Sequence, residues 1–407
     1  LDRFKEVNDA LGHLAGDEVL KTVAERLQAL ARKSDVIGRL GGDEFVLLQT
    51  EVGSPDSAVA LAERVCRSLG EAISPNGERV EVSASVGVAL FPTDGETSEG
   101  LIRAADMALY RAKNEGRATF RCFEPAMAER LRQRRAMQRD LREAVMCGDL
   151  HLVYQPQVNV GNGQLLGFEA LARWDHPTHG VIAPAVFVPM AEEGGFVAAL
   201  GEWVLRSACR EAAAWETPLS VAVNLSPHQV TQGDLPSLVQ EVLLETGLNA
   251  KRLELEITES VLIEDTDRAL HVLRRLKAMG IRIAMDDFGT GYSSLSYLQS
   301  FPFDKIKIDR SFIANLENNL HSRAIVRAVV GLGRSLAVPV VAEGVETNSQ
   351  LAFLRDEHCE EIQGFLTGRP QSVDSFRSLL YKGEAPGQPM PLRPDDDGPT
   401  DTPALAG

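Results

Sequence analysis

Residues 281–288 read Ile-Arg-Ile-Ala-Met-Asp-Asp-Phe, an apolar run too short for a helix that closes on two adjacent acids. Short runs of this kind, bounded by turn residues, read as strands buried on both faces. Seven more occur in order, at 151–158, 165–174, 220–226, 253–258, 305–309, 338–345 and 361–365. Most intervals between them carry apolar residues at helical spacing, as Leu270, Leu273, Leu276 and Met279 do between the fourth and fifth runs. Strand and helix alternating eight times over about 230 residues predict an α/β fold with a (β/α)8-type, TIM-like barrel across 145–382.

In such barrels chemistry gathers at the carboxyl ends of the strands. Here nearly every run ends in an acid or amide: Glu169, Asn224, Glu256, Asp286 with Asp287, Asp309, Glu343 and Gln363. Oxygen-only donors favour hard cations such as Mg²⁺ or Mn²⁺ over zinc. The eight histidines offer no close zinc pair, and His176 and His179 stand in a proline-containing loop. Acids converging on one mouth repel one another unless cations neutralise them. The Asp286-Asp287 pair suits a site shared by two ions, which clamps a phosphoryl group and supplies hydroxide near neutral pH. Any one acid taken alone reads as a helix cap or a surface ion-pair partner; the ring as a whole does not. Lys307, within 305–309, points the same way along its strand as Lys305 and Asp309. A lysine inside a barrel needs an anionic partner. It either orients an attacking water or holds phosphate charge, or forms a structural ion pair with Glu343 or Asp309.

The chain of 407 residues is long enough for two domains, and its 44% hydrophobic content is ordinary for globular proteins. A formal charge of −16 argues against long nucleic acid as a partner. Five scattered cysteines without a C-x-x-C pair read as reduced thiols. With neither a leader nor an apolar span visible, a cytoplasmic location is expected. The chain opens on Leu1, so sensory or membrane segments can lie upstream. Before the barrel, residues 7–33 show helical periodicity, 35–50 read as a hairpin turning at Gly41-Gly42, and 80–90 alternate like a strand. Helices at 57–69 and 101–114 complete an α/β sandwich across 1–122 that lacks its opening strand. A helical linker at 123–144 leads into the barrel, and 383–407, dense in Pro, Asp and Gly, reads as disordered.

The hexapeptide Glu169-Ala170-Leu171-Ala172-Arg173-Trp174 resembles the signature of EAL-domain cyclic di-GMP phosphodiesterases. The resemblance covers the whole barrel. It takes in Asn224 of Val-Asn-Leu-Ser, Glu256 and Glu259 of Leu-Glu-Ile-Thr-Glu-Ser, and the Asp-Asp-Phe-Gly-Thr-Gly run of 286–291. Lys307 in Lys-Ile-Asp, Glu343 and Glu346 in Ala-Glu-Gly-Val-Glu, and Gln363 in Gln-Gly-Phe follow in the family's order. The resemblance implies that Glu169, Asn224, Glu256 and Asp286 hold one metal ion, with Asp286 and Asp287 serving a second. It also implies that Lys307 and Glu343 complete the catalytic centre around the attacking water, beside Gln363. Gln155, Arg173 and Asp309 would contact the nucleotide, the arginine by its fork to a phosphate. Phe288 to Tyr297 matches a flexible loop that couples metal binding to dimerisation, with Glu259 and Glu346 as anchors. A first strand antiparallel to the rest, a homodimer through the barrel and linear pGpG as product complete the expectation. The nearest departure is Thr367, where the family often carries an aromatic ring.

The amino-terminal half resembles a diguanylate cyclase (GGDEF) domain through Gly41-Gly42-Asp43-Glu44-Phe45. By that resemblance Asn8 and Asp17 face a guanine, Asp43 binds metal beside Glu44, and Lys113 and Arg117 hold phosphates from one helix face. Arg32 and Asp35 fit an R-x-x-D inhibitory site. Asp2 matches the second acid of a D-x-D-x-F-K motif whose first acid would precede Leu1. The leading expectation is cyclic di-GMP hydrolysis by the barrel, with the first domain regulating it through GTP. A catalytically silent receptor, a bifunctional full-length enzyme and an unrelated metal-dependent barrel such as an aldolase are the other readings.

Overall fold

The computed structural model describes residues 1–75, 78–259, 261, 265–289, 301 and 303–381. The expected disordered tail and most of the expected loop, from 290 onward, lie outside the described residues. The chain divides into two compact units, Leu1–Met137 and Gln138–Gly407.

In the first unit the helical stretch expected at 7–33 is two helices, Phe4–Leu11 and His13–Leu30. Gly12 separates them: its φ of 81° lies in the left-handed region that only glycine enters freely. The hairpin forms as β1 (Val36–Gly41) and β2 (Glu44–Leu48), paired antiparallel. Of the strand expected at 80–90, only β3 (Val86–Val88) is regular, pairing parallel with β4 (Phe120–Cys122). Val80 and Ser83 make isolated bridges to Ile73 and Asp2, so that segment has no continuous ladder among the described residues. Val19, Val23, Leu27, Leu61, Val65 and Val82 form the core of this unit.

The helix Ser98–Asn114 ends before Arg117, which corrects the expectation of Lys113 and Arg117 on one helix face. Gly116 turns the chain at φ 111° and the Arg117 N–H donates to Ala112 O at 3.1 Å. That 6→1 closure terminates the helix. A helix over Pro125–Cys147 follows, and its second half belongs to the next unit, where Leu141 is fully buried and Gln138 Nε2 donates to Met190 O at 3.0 Å.

The second unit is a closed barrel. Its strands are β5 (Leu150–Asn159), β6 (Leu165–His176), β8 (Ser220–Leu225), β9 (Leu253–Thr258), β10 (Arg282–Phe288), β11 (Lys305–Ile308), β12 (Val340–Glu343) and β13 (Glu361–Gln363). A short β7 (Gly180–Ile182), not evident from the sequence, pairs with the end of β6. The order β5-β13-β12-β11-β10-β9-β8-β6 closes through β5–β6 pairing, and β5 is antiparallel to both its neighbours while the other barrel pairs are parallel. Residues such as Leu253, Leu255 and Ile257 are fully shielded, as parallel strands with both faces covered require. Capping residues stand at or just past the strand ends: Ser226 and Asp309 follow β8 and β11 immediately, Thr347 lies four residues past the end of β12, and Ser226 and Thr347 each close a capping box. This sharp strand-to-helix turning gathers the polar strand ends on one rim.

Candidate active site

β11 carries two lysines one pleat apart, so both side chains enter the barrel at different depths. Lys307 is fully buried and its ammonium is ringed by four carboxylates. The distances are 2.6 Å to Glu343, 2.7 Å to Glu256, 3.3 Å to Asp286 and 4.0 Å to Glu169. One cation among four acids leaves a large formal negative excess in a desolvated space. Burial, offset in part by Lys307 and reinforced by Glu169 and Asp286, pushes the Glu343 carboxyl up to about 8. The same causes push Glu256 well above the ordinary carboxylate range, while Lys307, despite its burial, is raised by the acids around it. Burial and the neighbouring Asp286 and Asp309 raise Asp287 to about 6.

Asp286 and Asp287 are sequence neighbours that a regular strand would point to opposite faces. Between Met285 and Phe288 the register against β11 slips by one residue, and Asp287 adopts a left-handed φ of 53°. This bulge re-aims the pair. Carboxylate oxygens of Asp286, Asp287 and Glu343 lie within 4.8 Å of one another.

Glu169 is held on both oxygens: Asn224 Nδ2 donates to Oε1 at 2.6 Å, and Gln363 Nε2 makes a short bond to Oε2. With its amide nitrogen committed there, Asn224 keeps its carbonyl oxygen for another partner. Oε1 of Glu256 is buried and has no hydrogen-bond partner. An orphaned carboxylate oxygen in a fully buried acid is costly without a cation. The all-oxygen set of Glu169, Asn224, Glu256, Asp286 and Asp287 therefore fits hard divalent cations.

The remaining predicted residues fall as follows. Gln155 is buried, donates to Gly368 O at 3.2 Å and accepts from Gln363 Nε2 at 3.1 Å. Arg173 is half-buried, with Nη1 turned onto Ala172 O at 2.8 Å. Asp309 accepts from Ser311 N at 3.0 Å as the cap, and its carboxyl beside Asp287 helps to raise that acid. Glu259 Oε1 accepts from Gly289 N at 2.9 Å, at the root of the expected loop. Glu346 is exposed, and its backbone N–H donates to Gln350. Thr367 is buried, its hydroxyl donating to Gly364 O at 3.0 Å.

In the first unit, Asn8 packs on Gly16, where an added Cβ would lie 1.9 Å from the Asn8 Oδ1. Asp17, Glu44, Arg32 and Arg117 are exposed, while Asp43 and Lys113 are half-buried. Asp35 accepts from the Arg32 backbone N–H at 2.7 Å, closing their own turn. Asp2 is buried and accepts from Ser83 Oγ at 2.9 Å, Ser85 Oγ at 2.7 Å and Ala118 N at 3.1 Å.

A second buried ion cluster lies deeper, and only its lysine was evident beforehand. Lys305 Nζ is 3.0 Å from Glu254 and 2.9 Å from Glu361. The period-two pair Gln155 and Gln157 in the first barrel run was the available signal that one barrel face is polar through more than one layer.

Residues 138–370 match the EAL domain family, and residues 1–119 match the diguanylate cyclase GGDEF domain family. An uncharacterised signalling protein of Caulobacter vibrioides is 54% identical over 96% of this chain and 48% of its own length. The bifunctional diguanylate cyclase/cyclic di-GMP phosphodiesterase MucR of Pseudomonas aeruginosa is 45% identical over 92% of this chain and 55% of its own. The chain thus spans about half the length of these relatives. Among solved structures, the PaMucR phosphodiesterase in complex with c-di-GMP is 46% identical, with a TM-score of 0.57, covering 58% of this chain and 98% of that one. The chain therefore belongs to the EAL domain family, with a diguanylate cyclase GGDEF domain ahead of its barrel.

Proposed function

We propose that the barrel hydrolyses cyclic di-GMP to linear pGpG with Mg²⁺ or Mn²⁺ at two positions. The observation that carries this reading is the buried ammonium of Lys307 among four carboxylates, beside an unpartnered oxygen of Glu256. The names of MucR and its solved phosphodiesterase complex with c-di-GMP support the substrate. Glu169, Asn224, Glu256 and Asp286 would hold one ion, and Asp286 with Asp287 the second. Bound there, such ions acidify water and neutralise phosphate charge.

The residues supply the rest. Water attacks phosphorus, the new P–O bond forms, the P–O3′ bond breaks, and the proton lost by the water ends on the leaving 3′ oxygen. Lys307 donates hydrogen bonds to the water or to the charged phosphate oxygens. Glu343, already in contact with Lys307, is placed to accept the water's proton. Gln155, Arg173, Asp309 and Gln363 surround this centre and orient the dinucleotide.

The first domain regulates the barrel through GTP bound about Asn8, Asp17, Asp43, Glu44 and Lys113, with Arg32 and Asp35 available to product-like nucleotide. Cyclase activity in the full-length protein is a second reading, favoured by the name of MucR and by the presence of Asp43 and Glu44. We place the protein in the cytoplasm, as a homodimer through the barrel. No described helix is long and apolar enough to cross a membrane.

The test is chromatographic. Cyclic di-GMP incubated with the chain should yield pGpG with Mg²⁺ and none with EDTA, and Glu169→Ala should lower turnover by about a hundredfold or more. Retained turnover in that variant would remove Glu169 from the site. Tight binding without product would leave a receptor.

A further inference from the structure

Four side chains join the deep ion cluster to the mouth of the barrel. Lys305 Nζ, 3.4 Å from Gln157 Oε1, donates to it. Gln157 Nε2 donates to Gln363 Oε1 at 3.1 Å, and Gln363 Nε2 donates to Glu169 Oε2. All four side chains are buried, Gln157 to 1% exposure and Lys305 to 3%. The two amides sit directly across the β5–β13 ladder, where Gln157 pairs with Gln363.

The chemistry at the two ends dictates the direction of the chain. An ammonium has hydrogens and no lone pair, while an ionised carboxylate has lone pairs and no hydrogen. Lys305 is already ion-paired with Glu254 and Glu361, and its ammonium donates to Gln157 Oε1. Facing that donor, Gln157 must present its oxygen downward and its NH₂ upward. Gln363 must then turn its oxygen toward Gln157 and its NH₂ toward Glu169. The second hydrogen of that NH₂ goes to Gln155, whose own nitrogen is committed to Gly368 O. Reversing either amide would set oxygen against oxygen in a desolvated space, at the cost of a buried unsatisfied pair.

Resting on the metal-dependent reading above, we infer that Gln157 is a positioning residue, orienting the Gln363 amide so that the Glu169 carboxyl is held aimed as a metal ligand. It touches neither substrate nor metal. Its effect passes through Gln363, and Lys305 is the anchor that fixes its sense. Outer partners of this kind set the orientation and basicity of the ligand they hold, and losing them commonly costs ten- to a hundredfold in metal affinity.

Gln157→Glu is the discriminating variant. It keeps the shape and the contact with Lys305, and replaces the upward donor with an acceptor. Gln363 must then flip or let go of Glu169. Gln157→Met, similar in volume, removes both ends of the link. Three measurements on the full chain separate the possibilities: melting temperature, Mg²⁺ affinity by calorimetry, and a crystal structure of Gln157→Glu. We expect a melting temperature within a few degrees of the parent, Mg²⁺ binding weakened about tenfold in both variants, and the Gln363–Glu169 bond broken in the Gln157→Glu crystal. The defect in turnover should fall on the Mg²⁺ concentration required, with KM for cyclic di-GMP little changed.

An unaltered Gln363–Glu169 bond together with parental Mg²⁺ affinity overturns the inference. A lowered melting temperature with parental Mg²⁺ affinity does so as well, because it reduces Gln157 to a packing residue. Failure of the functional reading is distinct: the parent chain would bind Mg²⁺ and release no pGpG, while the crystal and calorimetric comparison would still decide the role of Gln157.

Discussion

At the residue scale, the site is governed by how acids tolerate burial. At pH 7 Glu343, at about 8, retains a proton in the metal-free barrel that a bound cation would displace, while Asp287, at about 6, is mostly ionised already. Mg²⁺ binding at pH 7 should therefore release protons, and affinity should rise with pH up to about 8. Calorimetry in two buffers of different ionisation enthalpy measures this release; zero release would mean the acids are already ionised. The sign for stability is opposite. A carboxyl raised from 4.5 toward 8 makes the folded state hold more protons than the unfolded chain, so metal-free stability falls as pH climbs through that interval. Asp2 runs the other way. Burial pushes it up, but hydrogen bonds from Ser85, Ala118 and Ser83 outweigh that and lower it, as expected for a structural anion.

At the scale of elements, one short strand carries two different tasks. Lys305 and Lys307 are separated by a single apolar residue, share a face and occupy separate ion clusters. Lys307→Ala should lower turnover by about a thousandfold or more while leaving the chain folded once Mg²⁺ is present. Lys305→Ala should act chiefly on folding, because it strands Glu254 and Glu361 in the interior at a cost of about 3–5 kcal/mol. Its turnover per folded molecule should stay within about tenfold of the parent. Melting curves and turnover of the two variants, measured together, make the check; equal losses of turnover would merge the two layers into one catalytic unit. The facing of both lysines was legible from strand periodicity alone. Arg117 was not, since the stop at Gly116 depends on a backbone closure that spacing does not reveal.

At the scale of the whole molecule, the two compact units divide within the helix Pro125–Cys147, and each has its own core. All residues assigned to hydrolysis lie in the second unit. Asp43→Ala should thus leave cyclic di-GMP hydrolysis within about twofold of the parent in the absence of GTP, while abolishing any response to added GTP. A side-by-side assay with and without GTP reads both effects, and a large loss without nucleotide would show that the first unit supports the barrel directly.

The sequence by itself determined the barrel, because eight buried strands leave a signal in hydrophobicity that needs no contact information. It also marked the acids and amides of the rim, since strand ends are visible as the places where apolar runs stop. The tertiary structure alone decided how those groups face one another. Asp286 and Asp287 meet at one mouth only because a bulge and a left-handed residue override strand alternation. Closure of β5 against β6 and β13, from opposite ends of the barrel sequence, sets Gln155 beside Glu169 and Gln157 beside Gln363. Donor direction in that amide chain follows from a lysine and a glutamate more than 130 residues apart in sequence, a relation that local pattern cannot encode.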